Sequence, residues 1–168
     1  NPALVTGVDP SHGMMAASKL PETMVLVEGR AESLPFPDNH FDFLSMGYAL
    51  RHISDLSVAF VEFERVLKPG GRLCILEITK PQNRFGQWLL KNYMRGVIPL
   101  LTRFVSRQKA TTTMWRYFWD SIEACVPPEH VLATLHAAKL TQVKRNLVLG
   151  IFSEYQAVKA DPGQPNSF

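Results

Sequence analysis

Cysteine is scarce in this sequence, and its two cysteines indicate neither a disulfide framework nor a metal site. Cys74 lies inside an apolar run and Cys125 is far along the chain, without the spacing of metal ligands. We interpret both as buried, reduced thiols, which are typical of intracellular proteins. The sequence therefore predicts a cytoplasmic protein without a bound metal.

Long apolar runs are missing as well. No stretch approaches the roughly 20 residues that a helix needs to cross a bilayer, and no signal peptide is visible. We therefore expect no transmembrane segment. With 168 residues, of which 46% are hydrophobic, the chain is long enough to form one globular domain with a sizeable core.

Acidic residues are absent from Thr79 to Trp119, although this segment holds eight of the 18 basic residues. The net charge of +3 therefore conceals a cationic segment on an otherwise acidic chain. Apolar residues are interleaved with the basic ones over residues 85–107. Such a stretch can lie on a membrane surface, and it can also be a lid that covers an active site. No recognition motif accompanies the charge, so we expect no nucleic-acid partner.

The stretch from Phe41 to Ile78 carries the most information about the fold. Two apolar runs, Phe41–Met46 and Arg72–Ile78, are typical of strands that are buried on both faces. Between them apolar residues recur at helical spacing after Asp55, which occupies an N-cap position. The sequence predicts a strand, a loop, a helix, a tight turn at Pro69-Gly70-Gly71 and a second strand. This order is one crossover of an α/β sheet.

The loop after the first of these strands is a candidate ligand site, because open parallel sheets bind ligands at the carboxyl ends of their strands. Residues 47–52 read Gly-Tyr-Ala-Leu-Arg-His. An aromatic ring, a cation and an imidazole therefore lie on a loop that two regular elements hold. A polar surface loop without a function is the alternative.

Three segments of the chain resemble class I S-adenosylmethionine-dependent methyltransferases: LPFPDNHFD at 34–42, YALRHISD at 48–55 and RVLKPGGRL at 65–73. More narrowly, they resemble the family that C-methylates quinone precursors in ubiquinone and menaquinone synthesis. The likeness covers residues 4–158. It implies an α/β fold with a Rossmann-like sheet, mostly parallel with an antiparallel last strand, and a helical insertion at about residues 82–125.

The first strand of that sheet and the glycine-rich loop after it have no counterpart here. The sequence starts almost directly in a strand, Leu4 to Val8, whereas the missing strand belongs in the middle of the sheet. Its loss would expose unpaired edges, so we expect an enzyme whose N-terminal part lies outside this sequence rather than a degenerate relative. We expect a partial methyltransferase domain at residues 1–160 and a disordered tail at 161–168.

The resemblance implies S-adenosyl-L-methionine as the cofactor. Asp9 would accept hydrogen bonds from the ribose hydroxyls, and the alternative for it is an N-cap of the following helix. The family usually has an acid or amide at the position of Arg30; arginine only donates, so we expect neighbouring backbone to recognise the adenine. The implied cofactor-binding positions are Asp9, Met14, Arg30, Ala31, Glu32 and Gly47.

The resemblance also implies the chemistry of loop 47–52. A phenolic ring carbon becomes nucleophilic when its hydroxyl loses a proton; a histidine titrates near physiological pH, so His52 can serve as the base. Arg51 can hold the developing oxyanion, and Tyr48 can orient the ring or line the pocket. A structural hydrogen bond is the alternative for His52. The family commonly has an amide at this position, which leaves the acceptor open.

We therefore expect a methyltransferase that C-methylates a quinol or a related aromatic small molecule with an apolar tail. O- or N-methylation of another small molecule and a non-catalytic subunit of the same fold are the alternatives. Two hypotheses about partners remain. One is peripheral contact with the inner membrane through residues 85–107, and the other is a homodimer.

Overall fold

The computed structural model describes residues 4–21, 23–81, 83–98, 117, 119–161 and 163. In these ranges the strands form two sheets. The smaller sheet pairs β1 (Val5–Asp9) with β2 (Met24–Glu28) in parallel. The larger sheet has the order β3-β4-β6-β5, with strands β3 (Phe41–Gly47), β4 (Leu67–Ile78), β5 (Leu140–Val148) and β6 (Phe152–Lys159).

The helices begin where their capping residues predict. Helix α1 (His12–Ala17) starts at Ser11, whose side chain accepts a hydrogen bond from the Met14 N–H. Helix α2 (Leu56–Val66) starts at the predicted N-cap Asp55, which accepts from two backbone N–H groups. The N-cap of α3 (Arg84–Asn92) is Asn83, and α4 (Pro128–Ala137) has proline at its first position.

The predicted sheet is confirmed in its connections. Strands β3 and β4 are parallel and joined by α2, and β6 lies antiparallel between β4 and β5. The β5–β6 hairpin turns through Leu149 and Gly150, which have positive φ angles of 53° and 72°. Glycine adopts this conformation without a steric penalty. The strands thus run mostly in parallel, and the last strand is antiparallel to its neighbours.

The Pro69-Gly70-Gly71 segment makes the predicted tight turn, since a β-carbon on Gly71 would lie 2.7 Å from the Lys68 carbonyl oxygen, but the turn falls inside the range of β4. Helix α2 ends at Val66 and β4 begins at once, with Leu67 paired to Phe41. The next paired residues are Phe43 and Arg72, so the four residues from Lys68 to Gly71 form a bulge inside the strand pair. Gly70, with a φ of 76°, allows this bulge because it has no β-carbon.

The core lies between one face of the larger sheet and helices α2 and α4. Phe60 and Phe63 of α2 and Leu135 of α4 are buried there against Leu73 and Ile75 of β4. The prediction that β3 and β4 are buried on both faces was wrong. On the other face Phe43 and Leu76 are exposed, because no helix among the described residues packs over them.

The two sheets separate where the predicted sheet lacks a strand. Within the described ranges β1 pairs with β2 alone and β3 pairs with β4 alone. Residues 30–36 cross the gap, since Ala31 and Leu34 pack against the core and the Leu34 N–H donates to Glu62 of α2 over 2.9 Å. The smaller sheet is therefore attached through this loop.

The insertion between β4 and β5 is helical where it is described. Helix α3 continues into a wider π-helical turn at Tyr93–Val97, and residues 119–123 are helical. Residues 99–116 and 118, within the predicted lid at 82–125, lie outside the described residues. So does most of the predicted tail at 161–168. No helix in the described part of the chain is long and apolar enough to cross a bilayer.

Candidate active site

The loop that follows β3 is held rigidly at its start. Tyr48 has a φ of 58°, a conformation that costs a residue with a side chain roughly 1 kcal/mol or more. Its backbone N–H donates to the Leu76 carbonyl of β4 over 2.8 Å, and Leu50, two residues on, is buried in the core. The next turn, Leu50–His52, is a short 3-10 helix. These contacts hold the start of the loop against the end of β4 and the core.

Arg51 makes a buried ion pair with Glu77 at the end of β4. Its Nη1 atom lies 2.6 Å from Glu77 Oε1, and its side chain is 5% exposed, against 0% for Glu77. Glu77 also accepts from the Arg51 backbone N–H (3.2 Å) and the Ile78 backbone N–H (2.8 Å). A charge-assisted contact of this length is among the strongest hydrogen bonds in proteins.

Glu77 is a residue that the sequence interpretation missed. It is the one carboxylate in the apolar run from Leu73 to Ile78, and acidic side chains are almost never fully buried unless they are paired. That pattern could have predicted a cationic partner. It could not have selected Arg51, because the two residues are 26 positions apart. The cation that was expected to hold an oxyanion therefore has a protein carboxylate as its partner.

The side chains of Tyr48 and His52 are exposed, whereas that of Arg51 is buried. Tyr48 is 45% exposed, and His52 is exposed as well. The His52 backbone N–H donates to the Ala49 carbonyl over 2.9 Å. Within the described ranges no hydrogen bond to the imidazole ring is found, so nothing there supports its alternative role as a structural hydrogen-bonding group. The ring remains accessible to a small molecule.

One cavity adjoins this loop, and a second lies further along the β5–β6 hairpin. The smaller, of about 190 Å³, is lined by Tyr48, Leu76, Glu77, Val148, Phe152, Ser153 and Glu154. The larger, of about 550 Å³, lies between α3 and the tip of the hairpin and is lined mainly by apolar residues, among them Leu89, Leu90, Tyr93, Leu147, Leu149 and Ile151. Neighbouring residues of the same hairpin thus line the two cavities.

Asp9 ends β1 and is partly buried. Its Oδ1 atom accepts a hydrogen bond from the Ser11 N–H over 2.7 Å. The N-cap of α1 is Ser11 rather than Asp9, so the alternative role of Asp9 as the helix cap does not apply. The carboxylate retains acceptor capacity for a further donor. Met14, in the first turn of α1, is exposed.

Residues 30–32 connect the smaller sheet to the loop after β3. Glu32 Oε1 accepts from the Ser54 backbone N–H over 2.9 Å, and Glu32 Oε2 lies 3.8 Å from Arg30 Nε. The Arg30 side chain is largely exposed, whereas Ala31 packs against the core. Burial raises the pKa of the Glu32 carboxyl, but backbone N–H donors and the charge of Arg30 together hold it below its usual value.

The structure thus gathers some of the predicted site residues and separates others. Gly47, Tyr48, Arg51 and His52 share one loop, and Glu32 is joined to that loop through Ser54. Asp9 and Met14 lie with the smaller sheet. A β-carbon on Gly47 would meet nothing within 4 Å, so the space beside it is open. Among the described residues no group of three acidic, histidine or cysteine side chains could hold a metal.

The sequence and the structure were compared with known proteins. The model of the ubiE/COQ5 methyltransferase family matches residues 8–159. A ubiquinone/menaquinone biosynthesis C-methyltransferase UbiE from Hahella chejuensis is 34% identical over 140 residues, which cover 83% of this chain and 55% of that protein. A demethylmenaquinone methyltransferase from Symbiobacterium thermophilum is 33% identical, with 86% and 61% covered. The chain therefore spans roughly half to three fifths of the length of these relatives.

Solved structures show the same fold at low sequence identity. A SAM-dependent methyltransferase from Thermotoga maritima, described as a possible histamine N-methyltransferase, has a TM-score of 0.62 and 19% identity, covering 92% of this chain and 72% of that chain. Phosphoethanolamine N-methyltransferase 2 of Haemonchus contortus, in complex with S-adenosyl-L-methionine, has a TM-score of 0.67 and 13% identity, with 94% and 44% covered. These likenesses concern the fold alone.

We predict that Glu32→Gln destabilises the chain at neutral pH, by roughly 1 kcal/mol as for one charge-assisted hydrogen bond, and that the effect disappears in acid. The pKa of Glu32 is depressed in the folded state. A depressed pKa stabilises the fold above the unfolded-state value of about 4.3, and this contribution is lost as the pH falls through the folded-state value. Urea unfolding at about pH 7 and about pH 3 measures both free energies.

Glu28→Gln is the matched control, because the Glu28 side chain is exposed and its carboxylate lies 4.0 Å from the exposed ring of His12. This variant should change the free energy of unfolding by less than about 0.5 kcal/mol at either pH. A Glu32→Gln effect of the same size at both pH values would contradict the prediction.

Proposed function

The chain belongs to the ubiE/COQ5 methyltransferase family, and on that basis we propose that it transfers a methyl group from S-adenosyl-L-methionine to a ring carbon of a quinol-like small molecule with an apolar tail. One observation carries the proposal beyond the family likeness. The loop at the carboxyl end of β3 carries exposed Tyr48 and His52, and Tyr48 lines a cavity at the end of β4. This is the place where α/β sheets bind their ligands.

The residues for the cofactor suit its ribose and adenine. Asp9 provides a carboxylate with acceptor capacity for ribose hydroxyls, and exposed Met14 can pack on the adenine ring. Residues 30–32 offer backbone groups on the neighbouring strand end, and the space beside Gly47 is open. The bound cofactor supplies an electrophilic methyl group on a sulfonium. No residue of this sequence corresponds to the glycine-rich loop that wraps the methionine part.

The residues that act on the methyl acceptor lie in the loop after β3. His52 takes the proton of the phenolic hydroxyl, so that negative charge spreads onto the ring carbon that forms the new bond. The methyl group would pass to that carbon with its former bonding pair left on sulfur, and the carbon would then lose its own hydrogen as a proton, which restores the aromatic ring. Tyr48 packs on the ring and orients it. The positive charge of Arg51 favours the phenolate, although Glu77 balances much of it.

The two cavities suit an acceptor with a polar head and an apolar tail. The smaller cavity is lined by Tyr48 and Glu77 and gives the ring a partly polar surface. The larger cavity, between α3 and the hairpin tip, is mainly apolar and is the place for the tail. The acceptor therefore belongs to the aromatic molecules with a hydrocarbon substituent.

We also propose that α3 and the β5–β6 hairpin tip contact a membrane from which such an acceptor is taken. Trp88 is 60% exposed and Leu149 is 84% exposed, with Phe85 stacked on Trp88 at 6.1 Å between ring centroids. Arg84, Lys91 and Arg95 lie on the same helical segment. Of the predicted membrane stretch at 85–107, residues 99–107 lie outside the described residues.

We predict that the longest natural form of this protein binds S-adenosyl-L-methionine and that Asp9→Ala raises the Kd about 10- to 100-fold. The reason is the loss of hydrogen bonds from the ribose to a carboxylate, worth about 1.5–3 kcal/mol. Calorimetric titration measures the Kd. Asp42→Ala is the control, since exposed Asp42 pairs with Lys68 away from the site and should leave the Kd unchanged. Absence of binding by the unaltered protein would overturn the proposed function.

We predict that His52→Ala lowers kcat for a quinol acceptor about 100- to 10,000-fold, because the general base is lost. The Kd of the cofactor should stay within about twofold, since His52 is assigned to the acceptor. Transfer of labelled methyl groups to a hydroquinone with an apolar tail measures kcat. His136→Ala, an exposed histidine on α4, is the matched control and should retain full activity. An unchanged kcat in His52→Ala would remove His52 from the mechanism.

We predict that the protein co-sediments with vesicles that contain anionic lipid. Replacing Arg84, Lys91 and Arg95 together by glutamine should weaken binding, because each cation near such a surface contributes about 1 kcal/mol. Among the described residues, Lys91 lies 3.7 Å from Glu123 and Arg95 lies 3.9 Å from Asp120. All four side chains are exposed, so these ion pairs contribute little to folding stability and their loss should not unfold the protein. Lys19→Gln, an exposed residue beyond α1, serves as the control. Equal sedimentation of the triple variant would contradict membrane contact through α3.

A further inference from the structure

Glu77 combines complete burial with a place at the ligand-binding end of the sheet. It follows Leu73 and Ile75 on the face of β4 that the helices cover, so an apolar side chain would be the ordinary choice at this position. Glu77 is also one of the residues that line the smaller cavity, together with Tyr48. Its buried side chain therefore lies next to the space proposed for the acceptor.

The hydrogen bonds of Glu77 fix both the side chain and the backbone of Arg51. One carboxylate oxygen lies 2.6 Å from Arg51 Nη1, and the other accepts from the Arg51 N–H over 3.2 Å. The Ile78 N–H, over 2.8 Å, holds the carboxylate itself in place. Glu77 thus contacts both the side chain and the backbone of the residue in the middle of the 3-10 turn. Tyr48 and His52 flank that point in the same loop.

Folding stability does not explain why a charged pair occupies this place. Replacing a buried ion pair with apolar residues of similar volume is often neutral or stabilising, because removing two charges from water is costly. Among the other groups near this pair, Lys80 donates to the Glu123 carbonyl, and burial, with a smaller effect of the Glu77 charge, raises the pKa of the Cys125 thiol.

We propose that Glu77 is a positioning residue for methyl transfer. By holding Arg51 through its guanidinium and its backbone N–H, it fixes the loop of residues 48–52 so that Tyr48 and His52 meet the acceptor in the reactive orientation. The inference rests on the proposed function, since it assigns a role within the same reaction. It does not require that Glu77 touch the acceptor or the cofactor.

Glu77→Gln is the first test, because it removes the charge and keeps the shape. We expect kcat for the quinol acceptor to fall about 10- to 100-fold, the effect of a small displacement of reacting groups. The KM for S-adenosyl-L-methionine should stay within about twofold, because the ribose and adenine residues lie elsewhere. Amide hydrogen exchange of residues 48–52 should become about 10-fold faster, as local opening becomes easier.

A double variant separates positioning from folding. Glu77→Met with Arg51→Met replaces the buried ion pair by apolar side chains, so the free energy of unfolding should be kept or raised. The kcat should nevertheless fall at least as far as in Glu77→Gln. Glu64→Gln is the matched control. Glu64 forms a half-buried ion pair with Lys159, the last residue of β6, whereas Glu77 pairs with Ser153 near the first residue of that strand. It should alter neither kcat nor loop exchange.

The outcomes distinguish this inference from the proposed function. If the unaltered protein transfers no methyl group to any quinol, the proposed function fails, and exchange of residues 48–52 still tests whether Glu77 holds the loop. If the unaltered protein is active and Glu77→Gln keeps its kcat, the positioning role is overturned. Unchanged loop exchange in Glu77→Gln overturns it independently of any activity. A lower kcat accompanied by faster loop exchange supports it.

Discussion

The ion pair between Arg51 and Glu77 joins the loop after β3 to the end of β4 inside the protein. Both charges are removed from water, so each needs the other, and separating them would leave an uncompensated buried charge at a cost of about 3–5 kcal/mol. The turn at Tyr48 depends on the same region, since its strained backbone is held by a hydrogen bond to Leu76, one residue before Glu77. The geometry of the candidate site therefore rests on the end of a single buried strand.

A second link connects the two sheets. Glu32 follows β2 of the smaller sheet and accepts a hydrogen bond from the backbone of Ser54, two residues after His52. Residues assigned to the cofactor and to the acceptor are thereby joined by a carboxylate whose pKa is held low by the N–H groups around it. This connection matters because β1 and β2 share no strand pairing with β3 among the described residues. In the proposed function, this connection would keep the cofactor residues and the acceptor residues in a fixed relative position.

Apolar side chains are exposed on either side of the larger cavity. The hairpin tip at Leu149 and the aromatic residues of α3 are exposed, and the cavity lies between them. Groups of exposed apolar side chains can mark places where lipids, ligands or proteins bind. In the proposed function the ring of the acceptor would occupy the smaller cavity beside Tyr48, and its hydrocarbon tail would occupy the larger one.

Local patterns in the sequence determined the elements of the fold. Asp55 and the apolar spacing after it define α2, and the paired strands around it follow from their composition, because such patterns depend on near neighbours in the chain. The motifs at 34–42, 48–55 and 65–73 were sufficient to identify the family. Only the tertiary structure decided that Arg51 is paired, that Glu77 is its partner and that one face of β4 is open. The ion pair joins residues that are 26 positions apart in the sequence. A local sequence pattern does not specify which residues that far apart the folded sheet brings into contact.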